Sequence, residues 1–307
     1  MGEHLLGPHV VGQRIVVRRL LRGETGPTGG PAFTDLLGTC LAWGGGRCVV
    51  EPADGPPVTI ALADIVSGKP VPPRPSIRLR VEPEAAQRAA FSLFPGLETE
   101  PLGRWTLRHH GVESARRANS VLAFAPAADA DADADAAVER VVAWYAARGR
   151  RPVAAVLTGS AESTLLSDRG WVPESDDADT LFQIASVASA RRAVPRGVDE
   201  AEVREDGGLL RAEIAAPDAD SPAATGLLAV EGDWAGVRGV TVRADLRGRG
   251  LALGVMAALL GAAAERGART AYLQVLADNT AALRLYAGLD FVDHHRYRYL
   301  AAPSASG

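Results

Sequence analysis

Lysine is almost missing from this 307-residue chain: of 33 basic residues, Lys69 alone is not arginine. Arginine is abundant together with alanine, glycine and proline. That pattern is a compositional bias, so the arginines are not read one by one as functional. There are two cysteines, Cys40 and Cys48. They are too few for a disulfide framework or a zinc site and read as small apolar core residues. No apolar run approaches the roughly 18 residues of a membrane span. Residues 1–11 hold no apolar stretch of the kind that heads a secretory leader, so a cytoplasmic protein is expected, without membrane association. Net charge is only −4, and no basic run is interleaved with aromatics, which argues against nucleic acid as a partner. Ser-His-Asp and Cys-His orders are missing too. The pairs His109-His110 and His294-His295 would sit in strands, where neighbours point to opposite faces, so no metal site is expected.

What is present divides into three stretches. Residues 12–66 carry short β-rich runs, Arg14 to Arg18, Leu36 to Trp43, Cys48 to Glu51 and Val58 to Ile60, separated by Gly- and Pro-rich turns. That spacing predicts a small all-β barrel over 1–70, similar to an SH3-like module. Residues 70–75, rich in proline, form a stiff connector. Next comes an expected amphipathic helix over 76–97, then strands at 105–108 and 118–124. Alternating Ala and Asp at 127–136 reads as a solvated loop or a fraying helix entrance, not a metal site. Residues 186–196 read as a polar linker, 209–214 and 227–230 as strands, and 218–225 as a loop.

The most informative stretch is 237–300. Val237 to Val242 has the β-branched content of a short buried strand. A turn, Leu246-Arg247-Gly248-Arg249-Gly250-Leu251-Ala252, then opens a helix whose apolar residues at 252, 255, 256, 259, 260 and 263 follow a helical rhythm, with Gly267 at its C-terminus. Glycines at a helix N-terminus leave unpaired N–H groups and the positive end of the helix dipole open to a bulky anion, and Arg247 and Arg249 add charge. The turn lacks the Lys-Ser/Thr pair of a P-loop and the three-glycine spacing of a dinucleotide fold, so neither ATP hydrolysis nor NAD binding is supported. The physical reading is a pyrophosphate cradle.

Here the chain resembles the GCN5-related N-acetyltransferase (GNAT) family. Its pyrophosphate signature Arg/Gln-x-x-Gly-x-Gly/Ala is matched by Arg247, Gly250 and Ala252. The order strand 270–275, then Asp278-Asn279-Thr280-Ala281-Ala282-Leu283-Arg284-Leu285-Tyr286, resembles the family's second signature. Phe291 and residues 295–300 resemble its closing strands. The resemblance implies an α/β (α+β) fold with a mixed central sheet and acetyl-CoA as cosubstrate, without metal. The pyrophosphate would lie on the N–H groups of Gly248, Arg249, Gly250, Leu251 and Ala252, and the pantetheine beside Val240, Thr241 and Val242. The N–H of Val242 would meet the oxyanion, and Tyr286 would act as general acid. Asn279 is a helix cap, a coenzyme contact, or both.

A weak internal repeat accompanies this. Residues 144–156 can be laid over 261–275, and 164–171 over 284–291. A degenerate GNAT-like half (76–185) is therefore expected before a catalytic one (196–302), as in tandem members of the family. The first half lacks the pyrophosphate turn and has Leu166 in the place of Tyr286.

Two residues depart from the family pattern. Near Gly236 many relatives carry a glutamate base, leaving Glu231 or Asp233 as substitutes acting through water, and Asp290 replaces a glycine. The expected activity is acetyl transfer from acetyl-CoA to a primary amine of a small molecule or protein, with a homodimer allowed. The rival reading is a non-catalytic acyl-CoA-binding or interaction protein that works through its N-terminal β module.

Overall fold

In the computed structural model the described residues are 5–26, 29–52, 55–71, 77–126, 134–177, 179–198, 201–216 and 221–303, with Ile77 described by its backbone only. Residues 72–75 of the expected connector, 127–133 of the Ala/Asp run and 218–220 of the expected loop lie outside them. The chain divides into two compact units, Met1–Ser76 and Ile77–Gly307.

The first unit is a five-stranded antiparallel sheet of β1 (Arg14–Thr25), β2 (Pro31–Gly44), β3 (Arg47–Pro52), β4 (Val58–Ala61) and β5 (Ile65–Pro70), in the order β4-β3-β2-β1-β5. Alternation along the strands buries Ile15, Val17, Cys40, Cys48, Val50 and Ile60 in one core. The two cysteines are free and face each other at 3.9 Å, and burial pushes the Cys48 thiol up to about 12. Sequence pattern did not reveal β5, because Gly68-Lys69-Pro70 reads as the start of a linker. In the fold Gly68 is needed, since a Cβ there would collide with Leu6.

The second unit opens with 3₁₀ turns at Ile77–Arg80 and Ala90–Leu93 around α1 (Pro83–Ala89). The long helix expected over 76–97 is thus broken. Pro83 cannot sit inside a helix begun at residue 77, and it occupies the first turn of α1 instead. Then follow β6 (Glu98–Leu102), β7 (Trp105–His109), β8 (Val121–Leu122), α2 (Ala134–Ala146), β9 (Val153–Leu157), α3 (Ala161–Asp168), β10 (Val172–Pro173) and β11 (Thr180–Ser186). The strand expected over 118–124 shrinks to β8, because the loop before it is held by Asn119, whose Nδ2 donates to Glu113 O (2.7 Å) and Ala115 O (3.1 Å). The expected linker contains a helix, α4 (Val187–Ala193), capped by Ser186 and pinned by buried Val187 and Ala190. After it come β12 (Glu202–Asp206), β13 (Leu209–Ile214), β14 (Ala224–Glu231), β15 (Trp234–Val242), α5 (Leu251–Glu265), β16 (Thr270–Leu276), α6 (Thr280–Ala287) and β17 (Val292–Ala301).

The internal repeat is real at the level of backbone hydrogen bonds. Helix α3 ends with Trp171 N–H donating to Leu166 O, and α6 ends with Phe291 N–H donating to Tyr286 O, both at 3.0 Å. Gly170 (φ 77°) and Asp290 (φ 60°) hold the same left-handed place in the two turns. Each half also has one parallel pair, β8 with β9 and β15 with β16.

The two halves do not keep separate sheets. One path runs β12-β13-β14-β15-β16-β11-β17-β9-β8-β7-β6. The last strand of the first half, β11, pairs with β16, and the last strand of the second, β17, pairs with β9. Each half therefore completes the other's sheet. Helices α4, α5 and α6 cover one face of the second half with Val255, Met256, Leu259 and Tyr286, while the segment 79–94 covers the other through Ala86, Leu93 and Phe94 against Phe182 and Tyr272.

One expectation fails in β17. Asp293 pairs with Gln183 but His295 pairs with Phe182, so His294 is an extra residue in a bulge. The bulge brings the Nδ1 atoms of His294 and His295 to 2.7 Å rather than to opposite faces. Among the described residues no three metal-ligating groups converge there or elsewhere. His295 is stacked on Phe182 at 4.8 Å, and burial lowers its pKa to about 3. An unfolded imidazole near 6.5 binds a proton that the folded one refuses, so stability rises with pH between about 3 and 6.5. At pH 5 the deficit relative to neutral pH is about 2 kcal/mol, or roughly 4–8 °C in Tm for a unit of this size. Calorimetry at pH 7.5 and 5 should show that drop in wild type and a much smaller one in His295→Gln. Equal drops would show that another group is responsible.

Candidate active site

Strands β15 and β16 run parallel from Trp234 and Thr270 as far as Val237 and Leu273, and there the pairing stops. Just beyond, β15 bulges at Gly239 (φ 64°), so that it gains a residue on β14 between the pairs Leu227–Arg238 and Thr225–Thr241. The strands part after the bulge. Arg243 N–H donates to Ala223 O (2.9 Å), and by the alternation of an antiparallel ladder Val242, one step earlier, is out of bonding register with β14. Its N–H is turned to the open side of the strand.

Across the gap begins α5. Gly250 is its N-cap at φ 80°, and no side chain caps it. The first-turn N–H groups thus lack the partner that a serine or aspartate would give them. Gly248 also has positive φ (77°), and nothing lies within 4 Å of the place a Cβ would take at either glycine. The Arg247 Nε lies 3.4 Å from Val242 O.

These elements enclose a cleft of about 640 Å³. Of the residues expected at a coenzyme site, Val240, Thr241, Val242, Arg247, Gly248, Gly250, Leu251, Ala252, Asn279 and Tyr286 all line it. Arg249 is exposed in the turn and is not among the residues that line the cleft. Leu246, Leu253 and Leu285 line the cleft as well. They had read only as helix or turn residues, since an apolar wall has no motif of its own. Asn279 caps α6, its Oδ1 accepting from Ala282 N–H (3.1 Å), while also reaching the cleft wall.

Tyr286 is 8% exposed. Burial raises its phenol above the ordinary value, opposed by the positive charge of Arg117. The group is a protonated phenol throughout the physiological range.

Glu231 is not brought to this place. It pairs with Trp234 at the β14–β15 hairpin and is exposed, six strand residues or roughly 20 Å from Val240. Asp233 lies in the same hairpin, where its carbonyl accepts from Arg269 and Thr270. At Gly236 there is no room for a carboxylate, because even a Cβ would collide with the Tyr272 ring. That ring is stacked on Phe182 at 5.3 Å, and its hydroxyl donates to Ala89 O at 2.8 Å.

On the face of the fork away from α5, the first half contributes charged groups. Glu113 accepts from Arg238 (2.8 Å), which lies over the Phe94 ring at 4.6 Å and holds the Glu113 carboxyl below its usual range. Arg117 donates to Gln274 O (3.4 Å). Nothing in the sequence pairs residues 157 positions apart, so these were not foreseen.

Parallel strands that part beside a bulge, with an uncapped helix N-terminus across the gap, define the acyltransferase fold to which the sequence motifs pointed. Residues 179–300 match the family described as "Probable histone acetyltransferase Rv0428c C-terminal". Among solved structures, a GCN5-related N-acetyltransferase from Kribbella flavida aligns over 72% of this chain and 96% of its own, at TM-score 0.56 and 18% identity. A tandem GNAT protein from the clavulanic acid biosynthesis pathway aligns over 69% and 85% (TM-score 0.49, 12% identity), and a GCN5-related N-acetyltransferase from Sphaerobacter thermophilus over 74% and 90% (0.47, 17%). At 18% identity the likeness to the Kribbella flavida protein is one of fold. No curated protein matches the chain. Residues 179–300 thus resemble an acetyltransferase domain, and the fold of the chain is like that of a GCN5-related N-acetyltransferase. Among the described residues no helix is long and apolar enough to cross a membrane.

Proposed function

We propose that the protein is an N-acetyltransferase that moves the acetyl group of acetyl-CoA to a primary amine. The observation that carries this is the single cleft in which an uncapped helix N-terminus, the free edge of β15 and a buried phenol meet. The site fits the cosubstrate: two glycines without side chains at the mouth of α5 leave space for a diphosphate against backbone N–H groups. Bound there, acetyl-CoA would supply a thioester whose carbonyl carbon accepts the amine's lone pair as the C–S bond breaks.

The chain's own groups have three tasks. N–H groups from Gly248 to Ala252 hold the diphosphate, with Arg247 beside them. The Val242 N–H, turned to the open side of β15, donates to the carbonyl oxygen as negative charge gathers on it. Tyr286 gives its hydroxyl proton to the departing sulfur, and the proton that the amine sheds restores the phenol through solvent. Among the described residues no carboxylate lines the cleft, so the amine is taken up in its neutral form, and the rate should climb with pH toward the amine's own pKa.

The matching family's description makes protein lysine one of the amines to try, beside small metabolites. The test is thiol release from acetyl-CoA across such a panel. Turnover with at least one amine, faster at pH 9 than at pH 7, is expected. Tight acetyl-CoA binding without thiol release on any amine would turn the reading toward a non-catalytic acyl-CoA-binding protein.

A further inference from the structure

Past the last parallel pair, Val237 with Leu273, the next residues along the two strands are Arg238 and Gln274. Both arms of the fork are weakly held at that level. β15 has lost β16 on one side and slips by a residue against β14 at Gly239 on the other, while β16 keeps only β11. One short stretch of the loop between β7 and β8, in the first half, bonds both arms there. The Glu113 carboxylate accepts from Arg238 of β15 (2.8 Å), which lies over the Phe94 ring. Arg117 donates to the Gln274 carbonyl of β16 (3.4 Å).

That carbonyl faces the fork. Val187 N–H donates to Arg269 O and Ala277 N–H to Asp179 O, so by the alternation of an antiparallel ladder the backbone groups of odd-numbered residues from 269 to 277 face β11. Gln274 O is therefore turned to the gap that β15 has left, and the Arg117 guanidinium takes the place of a strand N–H. The loop is itself firmly built. Asn119 Nδ2 donates to Glu113 O (2.7 Å), His110 Nδ1 accepts from Glu113 N–H (2.9 Å), and Arg116 bonds Glu174 (2.7 Å) and Asp177 (2.9 Å). A plain connector needs no such support, whereas groups that must hold a site in place do.

We propose that residues 113–117 of the first half are a crosspiece that fixes the parting of β15 and β16 in the second, which makes Glu113 and Arg117 positioning residues for acyl transfer. They hold β15 where its Val242 N–H meets the thioester carbonyl. This rests on the reading of the cleft as the acetyl-CoA site. Displacing a reacting group by about 1 Å costs as much as 10²-fold in rate, so a slack arm lowers turnover. The diphosphate end is independent: among the described residues no hydrogen bond joins the loop to α5, which packs through Val255, Met256 and Leu259. The half without a pyrophosphate turn thereby contributes to the site of the other.

The test uses the full chain with Glu113→Ala, Arg238→Met, their double variant and Arg117→Met, read by thiol release and by amide hydrogen exchange. Glu113→Ala and Arg117→Met should each lower kcat about tenfold and leave KM for acetyl-CoA within about twofold. The double variant should be no slower than the slower of its two singles, because the pair acts as a unit. Exchange in the peptide over 238–242 should quicken in Glu113→Ala while that over β12 and β13 does not; an ion pair that only stabilises the fold would lower the melting temperature without this local change. If Arg117→Met fails to fold, the Glu113 and Arg238 variants decide. Unmoved exchange over 238–242, wild-type kcat in a folded variant, or losses that multiply in the double variant would overturn the proposal. Exchange needs no turnover, so quickened exchange in a protein that releases no thiol with any amine would keep the crosspiece and remove the reaction.

Discussion

Tyr286→Phe is expected to slow thiol release by on the order of 10²- to 10⁴-fold, the usual share of a general acid, with little change in KM for acetyl-CoA. The substitution isolates chemistry from stability because of how the hydroxyl is placed. Among the described residues nothing hydrogen-bonds it, while the ring packs 5.9 Å from Phe291 within the core that α5 and α6 share. Losing the oxygen therefore removes no internal bond, and the melting temperature should barely move. Tyr272 gives the contrast. Its hydroxyl donates to Ala89 O, so Tyr272→Phe should cost about 1 kcal/mol of stability while leaving turnover near wild type. A Tyr286→Phe enzyme that releases thiol at the wild-type rate would dismiss the phenol as acid, and departure of the thiolate unaided would have to be accepted.

The elements that sequence revealed are those whose pattern is local. The apolar rhythm of residues 252–263, the glycines at both its ends and the capped turn at Asn279 all report on neighbours within a few positions, and α5, β16 and α6 follow them closely. The cleft was legible for the same reason: its glycines, Asn279 and Tyr286 come from one continuous stretch. What escaped is non-local. Gly236 gave no hint that the Tyr272 ring fills the space of a carboxylate, and Glu231 looked close to the site only in sequence, since a strand carries it away at more than 3 Å per residue. The exchange of β11 and β17 depends on partners far apart in the chain, such as Leu181 with Val275 and Arg296, so the two halves read as separable when they form one sheet. The bulge at His294 shifted two imidazoles together because one skipped pairing reverses the facing of everything after it.

Gly250→Asp should weaken coenzyme A binding by more than about 100-fold while leaving the melting temperature unchanged or slightly higher. The backbone at 250 has φ 80°, a conformation that aspartate adopts more readily than most residues, and Asp290 already holds φ 60° in this chain. Space is available, since no atom lies within 4 Å of the added Cβ. The fold should therefore accept the change. At an N-cap, moreover, a carboxylate accepts from first-turn N–H groups, a bond worth about 1 kcal/mol to the helix, and it suits the positive end of the dipole. Those are the donors assigned to the diphosphate, so the side chain satisfies them in its place. Its charge then opposes an approaching phosphate by about 3–4 kcal/mol at 4–5 Å with an effective dielectric near 20. Gly250→Asn separates the two effects: it caps without charge, so its loss in affinity should be clearly smaller. Titration calorimetry beside thermal melts reads both quantities. Undiminished affinity in Gly250→Asp, with the protein folded, would mean that the diphosphate is held somewhere other than the mouth of α5, and the cleft would lose its assignment.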